Sequence, residues 1–302
     1  MLPVPSQADA LPSVLTVRHV TTYRYASPVR PGEHRMMLRP RESHDLRLIR
    51  ARLTISPQPA QLRWVHDVFD NSVAVATFND QATELAFDSE VRLEHTEVPL
   101  PEYTLDAAAQ HFPFTYPCDD MPDLLRALHR RHPEPDLDLW VKAFLPRSGR
   151  TGTMALLRTI TAEIRETFRY SRRLERGVQA PTETLSRRSG TCRDFALLMM
   201  EAVRTIGLAA RFVSGYIFVP GFEPDPILGG GATHAWLQVY LPGAGWVDFD
   251  PTNSIVGNRN LIRVAVAWDP AQALPLWGSY FGFGSAFLGM DVSVCVREER
   301  QR

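Results

Sequence analysis

The sequence predicts a chain in two parts, strand-rich first and mixed helix and strand afterwards, and three patterns carry that prediction. Short alternating apolar–polar runs fill residues 14–100. Apolar residues at helical spacing recur between 121 and 206. Two further alternating runs, 234–241 and 246–250, face each other across the turn residues LPGAG, a hairpin pattern.

In the first part, LTVRHVTTYRY, RLIRARLTISP, VAVATFN and LAFDSEVRLEH read as strands, punctuated by PVRPGE, SPQPA and FDNS. Several short strands with turns between them predict a β-sandwich or barrel over residues 14–100. Residues 101–150 form a proline-rich connection with two helical runs, one marked by Leu124, Leu125 and Leu128, the other by Leu139, Trp140, Ala143 and Phe144. His129 and His132 fall here at i and i+3, but on the basic stretch RALHRRH with no third ligand nearby, so a metal pair is not indicated. From Thr151 a longer helix is written by Leu157, Ile160, Ile164 and Phe168, and the polar stretch LERGVQAPTETLSRRSG leads on to a cysteine. The remainder, 151–302, reads as a single core ending in a strand-like tail, MDVSVCVREER, whose alternation would make Cys295 structural.

Composition narrows the function. The chain has 302 residues, 44% hydrophobic and 22% charged, with a formal net charge of −1. A sizeable core is available, and bulk attraction to nucleic acid or an anionic membrane is not. Lys142 is the only lysine, so the protein has almost no amine of its own to offer an acyl-enzyme. Cys118, Cys192 and Cys295 are odd in number and form no CxxC or Cys/His cluster, which indicates neither a disulfide framework nor structural zinc. The first residues, MLPVPSQADALPSVLTV, lack a basic start and a continuous apolar stretch, and no run of membrane-spanning length occurs. A reducing cytoplasm is the expected location for a free reactive thiol.

Cys192 opens a helix whose apolar face is Phe195, Leu198, Met199, Val203 and Ile206, with Gly207 as its stop. Unpaired N–H groups in a first helical turn favour a thiolate and can receive the oxyanion of a tetrahedral intermediate. Arg193 would act in the same sense if its side chain folds back. Asp194, also in the first turn, is a routine helix stabiliser and is assigned no chemistry.

In the hairpin, His234, Trp236, Gln238 and Tyr240 share one face, and Ala235, Leu237, Val239 and Leu241 the other. For the apolar faces to coincide, Val239 must oppose Val247 and Leu237 must oppose Phe249, which requires an odd-numbered loop with glycine in the left-handed region at Gly243 or Gly245. That register places Asp250 opposite Trp236 and diagonal to His234 on the same side of the sheet. Diagonal Cβ atoms lie about 7–8 Å apart, a gap an imidazole and a carboxylate close together. A nucleophilic cysteine, a histidine base and an orienting carboxylate are thus all present.

The segments GTCRDFALLMMEAVRTIGLAARFVSGY, HAWLQVYLPGAGWVDFDPTN and IRVAVAWDP resemble the bacterial branch of the transglutaminase-like superfamily. YRYASPVRPGEHRMMLRPR and DVFDNSV resemble the β-rich domain preceding the core in that branch. The resemblance implies an α+β core related to papain-like cysteine proteases, with Cys192, His234 and Asp250 matching nucleophile, base and orienting acid. Two departures stand out: Gln238 where HAWVEVY would carry glutamate, and Asp70 where a DVFGN turn would carry glycine.

The expected activity is acyl transfer on a peptide or protein amide through a thioester, without metal or organic cofactor, and without nucleic-acid or membrane partners. Water as acceptor gives a peptidase or amidase. Alternatives are a protein-glutamine transglutaminase with an amine acceptor, or a binding module that keeps the fold without turnover. Tyr170 or Trp236 could add an oxyanion donor or shape the cleft, and the loop from Pro220 to Thr233 could border the substrate channel.

Overall fold

A computed structural model describes residues 12–98, 104–171, 177–219 and 231–299. The N-terminal part is a curled antiparallel sheet built on one long strand, β1 (Ser13–Met36), with β2 (Leu46–Ser56), β3 (Gln61–His66), β4 (Ser72–Thr77) and β5 (Ala82–His95) in the order β2-β5-β1-β4-β3. β1 spans both ends of this sheet, pairing with β5 along its first half and with β4 along its last residues. β3 is the strand that alternation does not flag. Most of its residues are exposed, so no apolar face marks it in the sequence.

The connection carries the short strand β6 (His111–Phe112) and the helices α1 (Met121–Leu128) and α2 (Pro135–Lys142). Each helix has proline in its first turn, where the missing N–H costs no helical bond. β7 (Thr151–Gly152) pairs with β6 and leads into α3 (Thr153–Thr167), whose Leu157, Ile160 and Ile164 are fully buried. β8 (Arg169–Tyr170) then pairs in parallel with β9 (Ser189–Gly190), and the polar stretch between them contains a short helix, α4 (Pro181–Arg187).

α5 (Cys192–Thr205) follows at once and is buried on nearly every side. It is a central helix, more enclosed than its one-faced apolar pattern implies. It packs on a five-stranded antiparallel sheet of β10 (Ala210–Ile217), β11 (His234–Leu241), β12 (Gly245–Asp250), β13 (Ile255–Val256) and β14 (Leu261–Ala267), in the order β13-β12-β11-β10-β14. Ala235, Leu237 and Val239 of β11 join the core formed with α5. Trp236 lies on the opposite face with Val213, Leu261 and Val266.

That opposite face is covered by the N-terminal part. The turn between β3 and β4 presses Phe69 onto it, and Asn71 bonds Val266 twice, donating from Nδ2 to the carbonyl at 2.8 Å and accepting the N–H at 2.9 Å. Asp67 braces the turn by accepting the N–H groups of Phe69 and Asn71, each at 2.9 Å. Asp70 sits there at φ 61°, the left-handed region that disfavours most side chains and suits glycine. Asp70→Gly is therefore expected to be neutral or to raise stability by up to about 1 kcal/mol, read as the urea midpoint at unchanged slope.

The final strands, β15 (Leu276–Phe281) and β16 (Phe287–Glu298), return to the N-terminal sheet and both pair with β1. The first and last described strands therefore share one sheet. The alternating tail is a sheet strand as its pattern suggests, with Cys295 paired opposite Arg18, although the Cys295 side chain is exposed.

Candidate active site

Cys192 is placed by the start of α5, and the start of α5 is fixed by Asp194. The Thr191 N–H and hydroxyl donate to Asp194 Oδ2, both at 2.8 Å, and the Gln179 N–H donates to Oδ1 at 2.7 Å. This reciprocal cap holds the first turn and joins it to the segment after residue 177. Gly190 allows the approach, because a Cβ there would stand 2.9 Å from Asp194 Cβ. Asp194 is thus structural, as its first-turn position suggests. Arg193 is held by the segment that follows β14. Its guanidinium donates to the Pro270 carbonyl at 2.6 Å and lies over the Phe212 ring, 4.9 Å from the centroid, although its charge still acts on Cys192.

His234 and Asp250 are delivered by the hairpin register. β11 and β12 pair with Val239 opposite Val247 and Leu237 opposite Phe249, as the coincidence of apolar faces requires. Leu241 pairs with Gly245, leaving Pro242, Gly243 and Ala244 as the loop, with Gly243 at φ 87° and Gly245 at φ 72°. Beyond the last pair, Leu237 with Phe249, His234 lies three residues further along β11 and Asp250 one further along β12, and there the imidazole and the carboxylate meet. His234 Nε2 lies 2.7 Å from Asp250 Oδ2, with both side chains fully buried.

Both carboxylate oxygens of Asp250 are occupied. Oδ1 accepts the Thr252 N–H at 2.9 Å, and Oδ2 accepts Asn253 Nδ2 at 2.8 Å besides the imidazole. Asn253 Nδ2 also stands 3.4 Å from His234 Nε2, too long for more than a weak contact. Asn253 is the site residue that sequence reasoning missed. Its only signal is its position in FDPTN, where the turn after Asp250 bends its amide back onto the carboxylate.

The remaining ring nitrogen, Nδ1, is buried without a hydrogen bond of good geometry. Cys192, in the first turn of α5, is nevertheless the second group, after Asp250, that favours the protonated ring. A loose thiol–imidazole contact is usual before substrate tightens the site. Burial alone would depress the imidazolium, but the charge and hydrogen bond of Asp250, reinforced by Cys192, overturn it and raise the His234 pKa well above its ordinary value. For Asp250 burial works upward and is likewise overcome, by His234 first and then by Asn253 and Thr252, so its carboxyl is held below the usual range. Both shifts run in the same sense, towards a protonated ring beside an ionised Asp250.

Trp236 is not available as an oxyanion donor, because its Nε1 donates to Asp248 Oδ1 at 2.6 Å. Tyr170 lies on β8, which is paired directly with the strand that precedes Cys192. Residues 220–230 of the glycine-rich loop before His234 lie outside the described residues. Among the described residues no group of three or more His, Cys, Asp or Glu could hold a metal ion, and no helix is long and apolar enough to cross a membrane.

Comparison with known proteins agrees with this architecture in both parts. Residues 15–94 match the bacterial transglutaminase-like N-terminal region, and residues 146–251 match the transglutaminase-like superfamily. An uncharacterised protein of Mycobacterium tuberculosis is 31% identical over 293 residues, covering 93% of this chain and 91% of that protein. A protein-glutamine gamma-glutamyltransferase of Pseudomonas aeruginosa is 34% identical over 77 residues, 24% of this chain and 11% of that protein. Among solved structures, a Cytophaga hutchinsonii protein designated "Putative Cysteine Protease" superimposes with a TM-score of 0.72 at 19% identity, covering 97% of this chain and 93% of that one, a likeness of fold. Matched in order by both family models and over nearly its whole length by the mycobacterial relative, the chain belongs to the transglutaminase-like superfamily.

Proposed function

We propose that Cys192, His234 and Asp250 are a catalytic triad for acyl transfer on amide bonds of peptides or proteins, with water as the usual acceptor. The observation that carries this reading is the buried His234–Asp250 pair at 2.7 Å with Cys192 acting on the same ring from the first turn of α5. The Cys192 thiolate attacks the carbonyl carbon, and the oxyanion is received by the Cys192 N–H, which as a first-turn group has no helical acceptor. The C–N bond breaks as the imidazolium passes its proton to the departing amine. A thioester to Cys192 remains. Water then attacks it while His234 takes a proton, and the C–S bond breaks to release the acid and restore the thiolate. Asp250 holds Nε2 throughout, which keeps Nδ1 directed to the sulfur side.

The same thioester can pass to a primary amine, the reading suggested by the relative named a protein-glutamine gamma-glutamyltransferase. Steady-state assays with an acyl donor and a labelled amine separate the two. Release of free acid outpacing amine incorporation is expected, and stoichiometric incorporation ahead of acid release would replace hydrolysis by transfer. We place the reaction in the cytoplasm, a compartment suited to three free cysteines.

A further inference from the structure

We infer that the N-terminal sheet positions the site histidine through a buried relay, Asp45–Arg263–Asp248–Trp236, whose last member backs the His234 ring. The inference rests on the triad reading above. It begins between β1 and β2, where Asp45, 4% exposed, accepts Arg263 Nη2 at 2.5 Å on Oδ1 and Asn258 Nδ2 at 2.9 Å on Oδ2. The Thr96 N–H, just after β5, fixes the Asp45 carbonyl at 2.9 Å. Arg263, on β14, turns its other arm to Asp248 Oδ2 at 3.1 Å. Asp248, on β12, uses its second oxygen to accept the Trp236 indole N–H at 2.6 Å.

The indole is fully buried, and its ring lies 5.9 Å from that of His234 with the planes inclined by 28°. Its seat is made by Gly215, the residue paired with His234 across β10 and β11, where a Cβ would come within 2.8 Å of Trp236 Cη2. The ring therefore has one place to lie and one hydrogen bond to hold it there.

Chemistry argues against packing as the whole explanation. Apolar residues of similar volume fill a domain interface at no desolvation cost, whereas a buried carboxylate–guanidinium–carboxylate chain carries that cost and, in return, fixes the direction of the groups it holds. Here each charged group is consumed on both sides, so the direction of the indole N–H is dictated from the other sheet. A small misplacement of an imidazole is expensive for proton transfer, which gives the relay its purpose. Trp236 and Asp248 act through His234 and are positioning residues.

The test uses the full chain and the alkylation of Cys192 by iodoacetamide, followed by mass spectrometry at about pH 6, where an ordinary thiol is almost wholly protonated, and at about pH 9, where an ordinary thiol is largely ionised without help. Asp45→Asn breaks the relay at its far end, and Trp236→Phe keeps a ring but removes the N–H. Each is expected to lower the ratio of the pH 6 rate to the pH 9 rate by about tenfold. The double variant should fall no further than the larger single one, because both cut the same chain. Hydrogen exchange at the indole N–H, followed by NMR, should speed up in Asp45→Asn.

A purely structural contact would leave the rate ratio of the folded protein unmoved. An unchanged ratio in Trp236→Phe, or effects of the two substitutions that multiply, overturns the relay. Should Asp45→Asn not fold, Trp236→Phe alone decides. A wild-type protein whose Cys192 reacts at about pH 6 no faster than Cys118 or Cys295 sinks the acyl-transfer reading itself, whereas a wild-type advantage that every variant retains sinks the relay alone.

Discussion

Cys192→Ala is expected to abolish amide turnover, by at least about 10³-fold, while leaving the fold intact. The two halves of that expectation have different origins. Activity falls because no other described side chain near His234 can form the thioester: Asn253 is an amide, Asp250 is engaged at both oxygens, and Trp236 is tied to Asp248. Stability changes little because alanine at the first position of α5 removes one sulfur from a site that retains its cap through Thr191 and Asp194. Comparing a cell extract before and after incubation with wild type and with Cys192→Ala reports both cleavage and cross-linking. Products common to both proteins would exclude Cys192 as nucleophile, and a thermal midpoint lowered by many degrees would mean that the thiol is a packing element instead.

Much of this site is legible from sequence because the parts that matter obey short-range rules. The hairpin register follows from alternation alone, and with it the juxtaposition of His234 and Asp250, since a slip of one residue would send them to opposite faces. The start of α5 follows from apolar spacing and the stop at Gly207, which indeed has φ 85°. What escapes is whatever depends on contacts distant in the chain. β3 has no apolar face to reveal it, and the pairing of β15 and β16 with β1 joins residues more than 200 positions apart, which no local pattern encodes. Arg193 illustrates the same limit. Its neighbour in sequence is the thiol, but its acceptor is the Pro270 carbonyl, which sequence proximity does not reveal.

The fold also explains the two departures noted in the motifs. Asp70 tolerates its left-handed backbone inside a turn braced by Asp67, so the loss of glycine is absorbed locally. Gln238 is paired with Arg211 across β10 and β11, with Arg211 Nε donating to its Oε1 at 2.9 Å. The neutral amide thus serves as the acceptor that a glutamate would otherwise supply, two residues beyond Trp236 on the face that the N-terminal sheet covers. Neither change reaches the His234–Asp250 pair.

Asp250→Ala should lower turnover by about 10³–10⁴-fold and also cost about 3–5 kcal/mol of stability, because it strands a buried imidazole. Three donors lose their acceptor at once: the imidazole, the Thr252 N–H and Asn253 Nδ2. Asp250→Asn separates shape from charge. An amide can still accept at one oxygen, but its NH₂ must then face either Thr252 or Asn253, donor against donor, so part of the stability loss persists. Without the carboxylate charge, burial drives His234 back towards neutrality, and the reactivity of Cys192 at about pH 6 should fall with it. The pH dependence has a definite sign. His234 is raised on folding, so its contribution is complete below its unfolded value near 6.5 and fades as pH climbs towards the folded value. Asp250 is lowered on folding, so its contribution is complete above about pH 4 and fades on acidification below that. The stability gap between wild type and Asp250→Asn, measured by urea unfolding, is therefore greatest between about pH 4 and 6.5 and narrows on the alkaline side. A gap that stays flat from about pH 5 to 9 would mean that the histidine is neutral in the folded protein and that no imidazolium is held ready for the leaving amine.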